Sequence, residues 1–197
     1  MTGFNPTRIL GRWREGFALD FHTIRSIPLG YDEFGHMIFD TQRSEVGELL
    51  YRLKYRSDTS VVNDIVTTTM GFLEKWKPAI EVIVPVPPSR STRTQQPVLL
   101  LAEALGKRLR IPVVPHCITR VRELPELKNV YDPDERLRLL ADAFTVDAAG
   151  FRGQRVLLFD DLYRSGATMN TIAAVLYDQA KVADVYALTI TRTRSKS

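Results

Sequence analysis

The sequence predicts an α/β protein with an open, mostly parallel sheet flanked by helices and a small extended N-terminal appendage. Two runs, IEVIVPVP at residues 80–87 and RVLLFD at 155–160, hold apolar stretches (82–87 and 156–159) that are continuous rather than alternating, as befits strands covered on both faces. Helical-period segments lie between such runs from residue 80 onward, and this alternation is the signature of a doubly wound sheet. Right-handed crossovers then bring the loops after both strands to one carboxyl edge, where open α/β sheets bind ligands. A chain of 197 residues fits one domain with a modest appendage and buries a core without disulfides or structural metal.

Residues 1–44 read as an arm and a β-hairpin appendage. The arm carries Arg8, Arg12 and Arg14 around Trp13. The stretch from Phe17 to Asp40 reads as extended chain, with Gly30, Asp32 and Gly35 at its turn. The main unit is expected over 45–197. Its first helix, 45–55, puts Val46, Leu49, Leu50 and Leu53 on one face. A second starts near Asp58 or Ser60, runs to Trp76 in spite of three threonines at 67–69, and stops at Pro78. After the strand at 80–87 comes a polar loop. A helix over 97–110 follows, with Pro97 in its first turn and Val98, Leu101, Ala102, Leu105 and Leu109 facing inward. IPVVPHC reads as a short strand, 118–138 as a long charged excursion, and AFTV at 143–146 as an edge strand. The strand 155–160, a helix over 168–179 and the strand 185–191 complete the pattern.

Composition excludes several classes. No apolar run approaches the roughly 20 residues of a membrane span, and the basic N-terminus lacks a signal-peptide core, so a cytoplasmic location is expected. One cysteine, Cys117, rules out an internal disulfide or thiolate cluster, and His22, His36 and His116 lack metal-ligand spacing. The formal charge of +4 suits a phosphorylated small molecule as well as a nucleic acid.

The chemistry concentrates in RVLLFDDLYRSGATMN, residues 155–170. A buried strand delivers Asp160 and Asp161 at its carboxyl end, then a polar loop containing Gly166 leads into a helix. Loop amides and a helix N-terminus form an anion cradle, to which Ser165 and Thr168 add hydroxyls. Carboxylates beside such a cradle suit a sugar phosphate, whose vicinal hydroxyls donate to the acids. The Walker A and dinucleotide fingerprints are absent.

On these residues the sequence resembles the phosphoribosyltransferase family, and within it the ComF/GntX group of competence-associated and amidophosphoribosyltransferase-like proteins. The resemblance covers roughly residues 45–192. It runs through LLYRLKYR, IVPVPPSR, LLLAEALGKRLRIPV, KNVYDPDERLRLLADAF and FDDLYRSGAT. It implies a phosphoribosyltransferase-type fold in which Asp160 and Asp161 engage the ribose hydroxyls of phosphoribosyl pyrophosphate. Arg164, Ser165, Gly166, Ala167 and Thr168 would form the 5-phosphate loop. Pro87, Pro88, Ser89 and Arg90 stand at the pyrophosphate loop, where a non-trans bond before Ser89 is conceivable. Residues 118–138, with Arg120, Lys128 and Arg136, would form a mobile hood. The reaction implied is displacement of pyrophosphate by a nitrogen nucleophile such as a nucleobase, with Asp160, Asp161 and Lys128 as catalytic residues. Mg²⁺ is the implied cofactor, with Asp160 and Asp161 as its protein ligands. A homodimer is an expectation of the same kind. For a nucleobase slot, Tyr163, Phe159 and Tyr131 are the aromatics nearby in sequence.

The departures keep a second reading open. Arg164 replaces a threonine, STRTQQPV replaces an Arg-Gly-Phe-Asn-Gln stretch, and Leu139 replaces an asparagine. The group's paired-cysteine ribbon is missing near the N-terminus, so zinc is not expected there. A non-catalytic nucleotide sensor, or a protein that handles single-stranded DNA through the basic arm around Trp13 and the tail Arg192, Arg194 and Lys196, is the alternative.

Overall fold

The computed structural model describes residues 2–88, 96–121, 143–147 and 151–194. Ser89, Arg90, Lys128, Tyr131, Arg136 and Leu139, and with them most of the hood, lie outside the described residues.

The first helix, α1 (Glu45–Tyr55), begins where Ser44 caps it, the hydroxyl accepting from Gly47 N at 3.0 Å. Glu45 and Glu48 in its first turn and Arg52 and Lys54 in its last complement the helix dipole. Asp58 caps a single 3₁₀ turn (Thr59–Val61) that leads into α2 (Val62–Trp76). The threonines that lower helix propensity are accommodated: Thr68 and Thr69 are buried, and their hydroxyls donate to the carbonyls of Asp64 and Ile65 at 2.9 and 2.8 Å. Lys77, at φ 53°, ends α2 in the left-handed region just before Pro78. Helix α3 (Pro97–Leu109) and helix α4 (Ala167–Asp178) follow the later strands.

The central sheet is built from β1 (Thr7–Arg8), β2 (Glu15–Phe21), β5 (Val82–Pro85), β8 (Arg155–Tyr163) and β9 (Asp184–Arg192), in the order β1-β2-β9-β8-β5. Every pairing except β1 with β2 is parallel. Alternation along β8 feeds two cores. Val156 and Leu158 pack against α4, while Leu157 and Phe159 pack with α1, α2 and α3 on the other face. The open α/β class read from the sequence is the class found.

Three expectations change in detail. The extended stretch after Phe17 is not one hairpin: β2 joins the central sheet, and the hairpin is β3 (Thr23–Tyr31) with β4 (Met37–Arg43). The reason is burial. Ala18 contributes to one core and Leu19 to the other, so β2 must be covered on both faces. The hairpin turns at Asp32, whose carboxylate accepts from Phe34 N and His36 N at 2.9 and 2.7 Å. The IPVVPHC stretch makes only a single bridge, Val113 to Ile83, because Pro112 and Pro115 have no N–H to donate. AFTV pairs not with the central sheet but as β7 (Phe144–Val146) with β6 (Ile118–Arg120), at the two ends of the excursion between them.

Candidate functional site

The carboxyl ends of β5 and β8 open into a cleft of about 540 Å³. Its walls come from Lys54 and Tyr55 of α1, Val86–Pro88 after β5, Gln96 and Val98 at the start of α3, Arg120 of β6, and the run from Asp160 to Met169. Of the residues singled out from sequence, Asp160, Asp161, Arg164, Ser165, Gly166, Ala167, Thr168, Pro88 and Arg120 thus share one cavity. Ser89, Arg90 and Lys128 lie outside the described residues.

Strand β8 runs on to Tyr163, so the acids are inside the strand rather than at its tip; Asp160 and Leu162 still register with Thr189 and Thr191 of β9. Successive strand residues point to opposite faces, which separates the two carboxylates. Asp161 shares the face of Leu157 and Phe159, toward α1. There its Oδ1 accepts from Lys54 Nζ at 2.7 Å, with the two side chains only 13% and 14% exposed. Asp160 turns back along the chain and accepts from Asp161 N at 2.8 Å. Burial, and then the charge of Asp161, push the Asp160 carboxyl up to about 8. The pair is therefore asymmetric: Asp161 is bonded to an ammonium, and burial makes its neighbour tend to keep its proton.

Lys54 did not emerge from the sequence reading. Its signal was faint: it stands four residues after Leu50, at the edge of the apolar stripe of α1, where a lysine normally reads as solvated surface. What makes it a cleft residue is the anchoring of the helix. Ser44 Oγ donates to the Phe21 carbonyl at 2.6 Å, and Gly47 lies so close to the His22 carbonyl that a Cβ there would approach its oxygen to 2.4 Å. Helix α1 is thereby seated on the end of β2, with its last turn aimed at β8. His22 itself sits against Thr191, Nδ1 to Oγ1 at 3.3 Å, and its proton affinity is lowered by burial and then by Arg43 and Lys54.

The loop that follows β8 turns at Gly166, whose φ of 77° lies in the left-handed region and which directly precedes α4. A Cβ at this position would meet the Tyr163 hydroxyl oxygen at 2.4 Å. The amides of the first turn of α4 have no intrahelical acceptors and face the cleft end of the helix. Arg164 and Ser165 are exposed beside them. The loop is braced from below by the N-terminal arm. Arg12 N donates to Asn170 Oδ1 at 2.7 Å, Asn170 Nδ2 donates to the Gly166 carbonyl at 2.9 Å, and Tyr163 Oη donates to the Leu10 carbonyl at 3.3 Å.

The aromatic expectations divide. Phe159 is core, 1% exposed, and Tyr163, though in the cleft wall, is buried and bonded to the arm; Tyr55 is the exposed aromatic in that wall. Trp13 is also buried, its indole N–H donating to the Ile9 carbonyl at 3.0 Å, so the basic arm does not present it as a stacking surface. Arg120 lies with its guanidinium 5.3 Å from the Phe144 ring, and its buried Nε has no hydrogen-bond partner among the described residues. A magnesium ion takes about six oxygen ligands. Among the described residues no group of three or more His, Cys, Asp and Glu side chains is placed to hold a metal. The acid pair supplies two carboxylates, one of them already committed to Lys54, which does not fit an ion held directly by the protein.

No family model matches the sequence. Competence protein ComFC of Bacillus subtilis (strain 168) is 27% identical over 158 residues, which make up 78% of this chain and 62% of that protein. The match joins a chain with an acid pair and Gly-containing loop at the end of a parallel strand to a competence protein. The chain is similar to ComFC over most of its length. It spans less than two thirds of the length of ComFC. Among solved structures, the chain is similar to the adenine phosphoribosyltransferase of Thermoanaerobacter pseudethanolicus. That protein is 18% identical, with 86% of this chain and 95% of the other covered and a TM-score of 0.46. The Trypanosoma brucei enzyme, solved with AMP, pyrophosphate and ribose-5-phosphate, is 16% identical over 96% and 86% of the two chains, with a TM-score of 0.44. Among the described residues no helix is long and apolar enough to cross a membrane.

Proposed function

We propose that this protein binds phosphoribosyl pyrophosphate, or a related ribose 5-phosphate ligand, and transfers the ribose 5-phosphate to a nitrogen nucleophile. The observation that carries this reading is the acid pair Asp160 and Asp161 sharing one cleft with the loop at 164–168 and the N-terminus of α4. The 5-phosphate sits against the loop amides, with Ser165 and Thr168 as hydroxyl donors and Arg164 as a charged one. The ribose hydroxyls donate to Asp161, while Asp160, in its protonated form, can itself donate.

In the transfer step the bond from C1 to the pyrophosphate oxygen breaks, and its electron pair leaves with the pyrophosphate. The nitrogen lone pair forms the new bond to C1, and the nitrogen gives up its proton to solvent. Little covalent work falls to the protein, so its contribution is positioning and charge stabilisation. Arg120 reaches the cleft and is suited to meet the departing charge; Ser89, Arg90 and Lys128 are proposed for the same task from the sequence alone. Tyr55, on the rim, is proposed as the flat surface for a nucleobase acceptor.

The test is calorimetric titration of phosphoribosyl pyrophosphate into the wild type and an Asp160→Asn/Asp161→Asn double variant. Micromolar binding that the double variant loses is the expected outcome, and it would justify assay of nucleobase and amine acceptors for pyrophosphate release. Equal binding by both proteins, or none by either, would remove the reading.

A further inference from the structure

We propose that Lys54 is the resident counter-cation of the acid pair, a positioning residue through which the cleft holds a ribose 5-phosphate without a divalent ion. The inference rests on the ribose-phosphate reading of the cleft and adds the means by which the acids are kept in place.

Two adjacent acids in a poorly hydrated cleft disfavour each other's charge, and an ionised one needs positive charge nearby. In many sites a bound cation supplies that charge. Here the chain supplies it, from an element remote in sequence: Lys54 Nζ lies 2.7 Å from Asp161 Oδ1, both side chains mostly shielded from water. The contact is not a chance surface pair. Strand alternation turns Asp161 toward α1, Ser44 bonds the start of that helix to the Phe21 carbonyl, and Gly47 allows the helix to rest on His22. Strand and helix are both fixed, so the ammonium and the carboxylate are held together by the fold rather than by mutual attraction.

The donor set argues the same way. With Oδ1 of Asp161 on Lys54 and an oxygen of Asp160 accepting from Asp161 N, few carboxylate lone pairs face the cleft, and no third ligating side chain stands nearby among the described residues. Those that remain suffice for the hydroxyls of one sugar but make a poor cage for a hard cation. Asp161, fixed by Lys54, presents its second oxygen to the ligand in a constant orientation. The ammonium also sits in the cleft wall, where it offsets the negative charge that a phosphate brings.

The experiment is calorimetric titration of ribose 5-phosphate and, separately, of inorganic phosphate. Each is titrated in EDTA and in Mg²⁺, into the wild type, Lys54→Met and Lys54→Arg, with the melting temperature of each protein recorded. The wild type is expected to bind ribose 5-phosphate within about twofold equally in EDTA and in Mg²⁺. Lys54→Met is expected to lose about tenfold or more for ribose 5-phosphate in EDTA, the scale of one charge-assisted hydrogen bond, and clearly less for inorganic phosphate. Lys54→Arg should restore most of the loss, which a merely structural role for the methylene chain would not require. Binding of ribose 5-phosphate by the wild type only in Mg²⁺, or unchanged affinity in Lys54→Met, overturns the proposal while leaving the ribose-phosphate reading intact. Binding of neither ligand by the wild type in any condition overturns both. If Lys54→Met does not fold, the EDTA and Mg²⁺ arms on the wild type and Lys54→Arg still decide the question of the divalent ion.

Discussion

Asp160 and Asp161 are neighbours in sequence but live in different surroundings, because a strand sends one toward α4 and the other toward Lys54. For Asp160 the native value of about 8 stands well above its ordinary 3.8. Between these two values the folded protein holds a proton that the unfolded chain releases, so stability falls as pH rises through that window. Asp160→Asn removes the linked proton. Its melting temperature should exceed that of the wild type at pH 8, and the difference should shrink toward pH 4; thermal melts across that range check it. Gly166→Ala is expected to act in the opposite direction at all pH values. A side chain at φ 77° is strained, by about 1–2 kcal/mol, and its Cβ would have to displace the Tyr163 hydroxyl. The expected result is a lower melting temperature with phosphate affinity reduced about tenfold or more, the order of one lost charge-assisted hydrogen bond, read by calorimetry. The acids and this glycine were legible in the sequence because strand, acids, loop and helix stand in unbroken order. Lys54 was not, because its role depends on where α1 is seated, and that is set by Ser44 and Gly47 against a strand end more than a helix away.

Among the elements, α1 and the N-terminal arm do more than pattern alone reveals. Ser44→Ala removes both the cap of α1 and its bond to the Phe21 carbonyl. A lost cap alone costs about 1 kcal/mol, so a somewhat larger loss is expected in urea unfolding, together with weaker ribose 5-phosphate binding as Lys54 loses its aim. In the arm, Trp13 stacks edge-on to Tyr163 with ring centroids 6.5 Å apart, and Ile9 is 2% exposed. Trp13→Ala should therefore cost about 3–5 kcal/mol, and should also loosen the loop at 164–168, since Arg12 N and the Leu10 carbonyl lose their fixed positions. The sequence around Trp13 reads as a basic lead-in because arginines separate its apolar residues. Only the tertiary pairing of β2 with β9 shows that the arm folds under the sheet. The helices of the main unit were legible to within a residue or two, since their apolar stripes have the helical period and Pro97 and Pro78 mark their ends.

At the scale of the whole molecule, the single cysteine offers a probe of global opening. Cys117 is buried, its thiol donates to the Val114 carbonyl at 3.3 Å, and burial pushes its pKa up to about 11. Native protein at pH 8 should resist iodoacetamide over hours and react quickly in urea, as followed by mass spectrometry; fast reaction in native buffer would mean that β6 and its surroundings open locally. The sheet around this core is assembled from opposite ends of the chain. Strand β2 pairs on one side with β9, which also pairs with β8, so the strand that joins the two parts follows all the other strands of the sheet in the chain. On the ribosome, β2 emerges before β9 and must wait, that edge unpaired, while the chain between them is translated. A nascent chain arrested before β9 would carry two open half-sheets rich in apolar residues, a species suited to capture by chaperones or to aggregation. The sheet that carries the acid pair therefore cannot close before β9 has been translated, and a nonsense codon anywhere before β9 would leave the cleft unassembled however intact its motif.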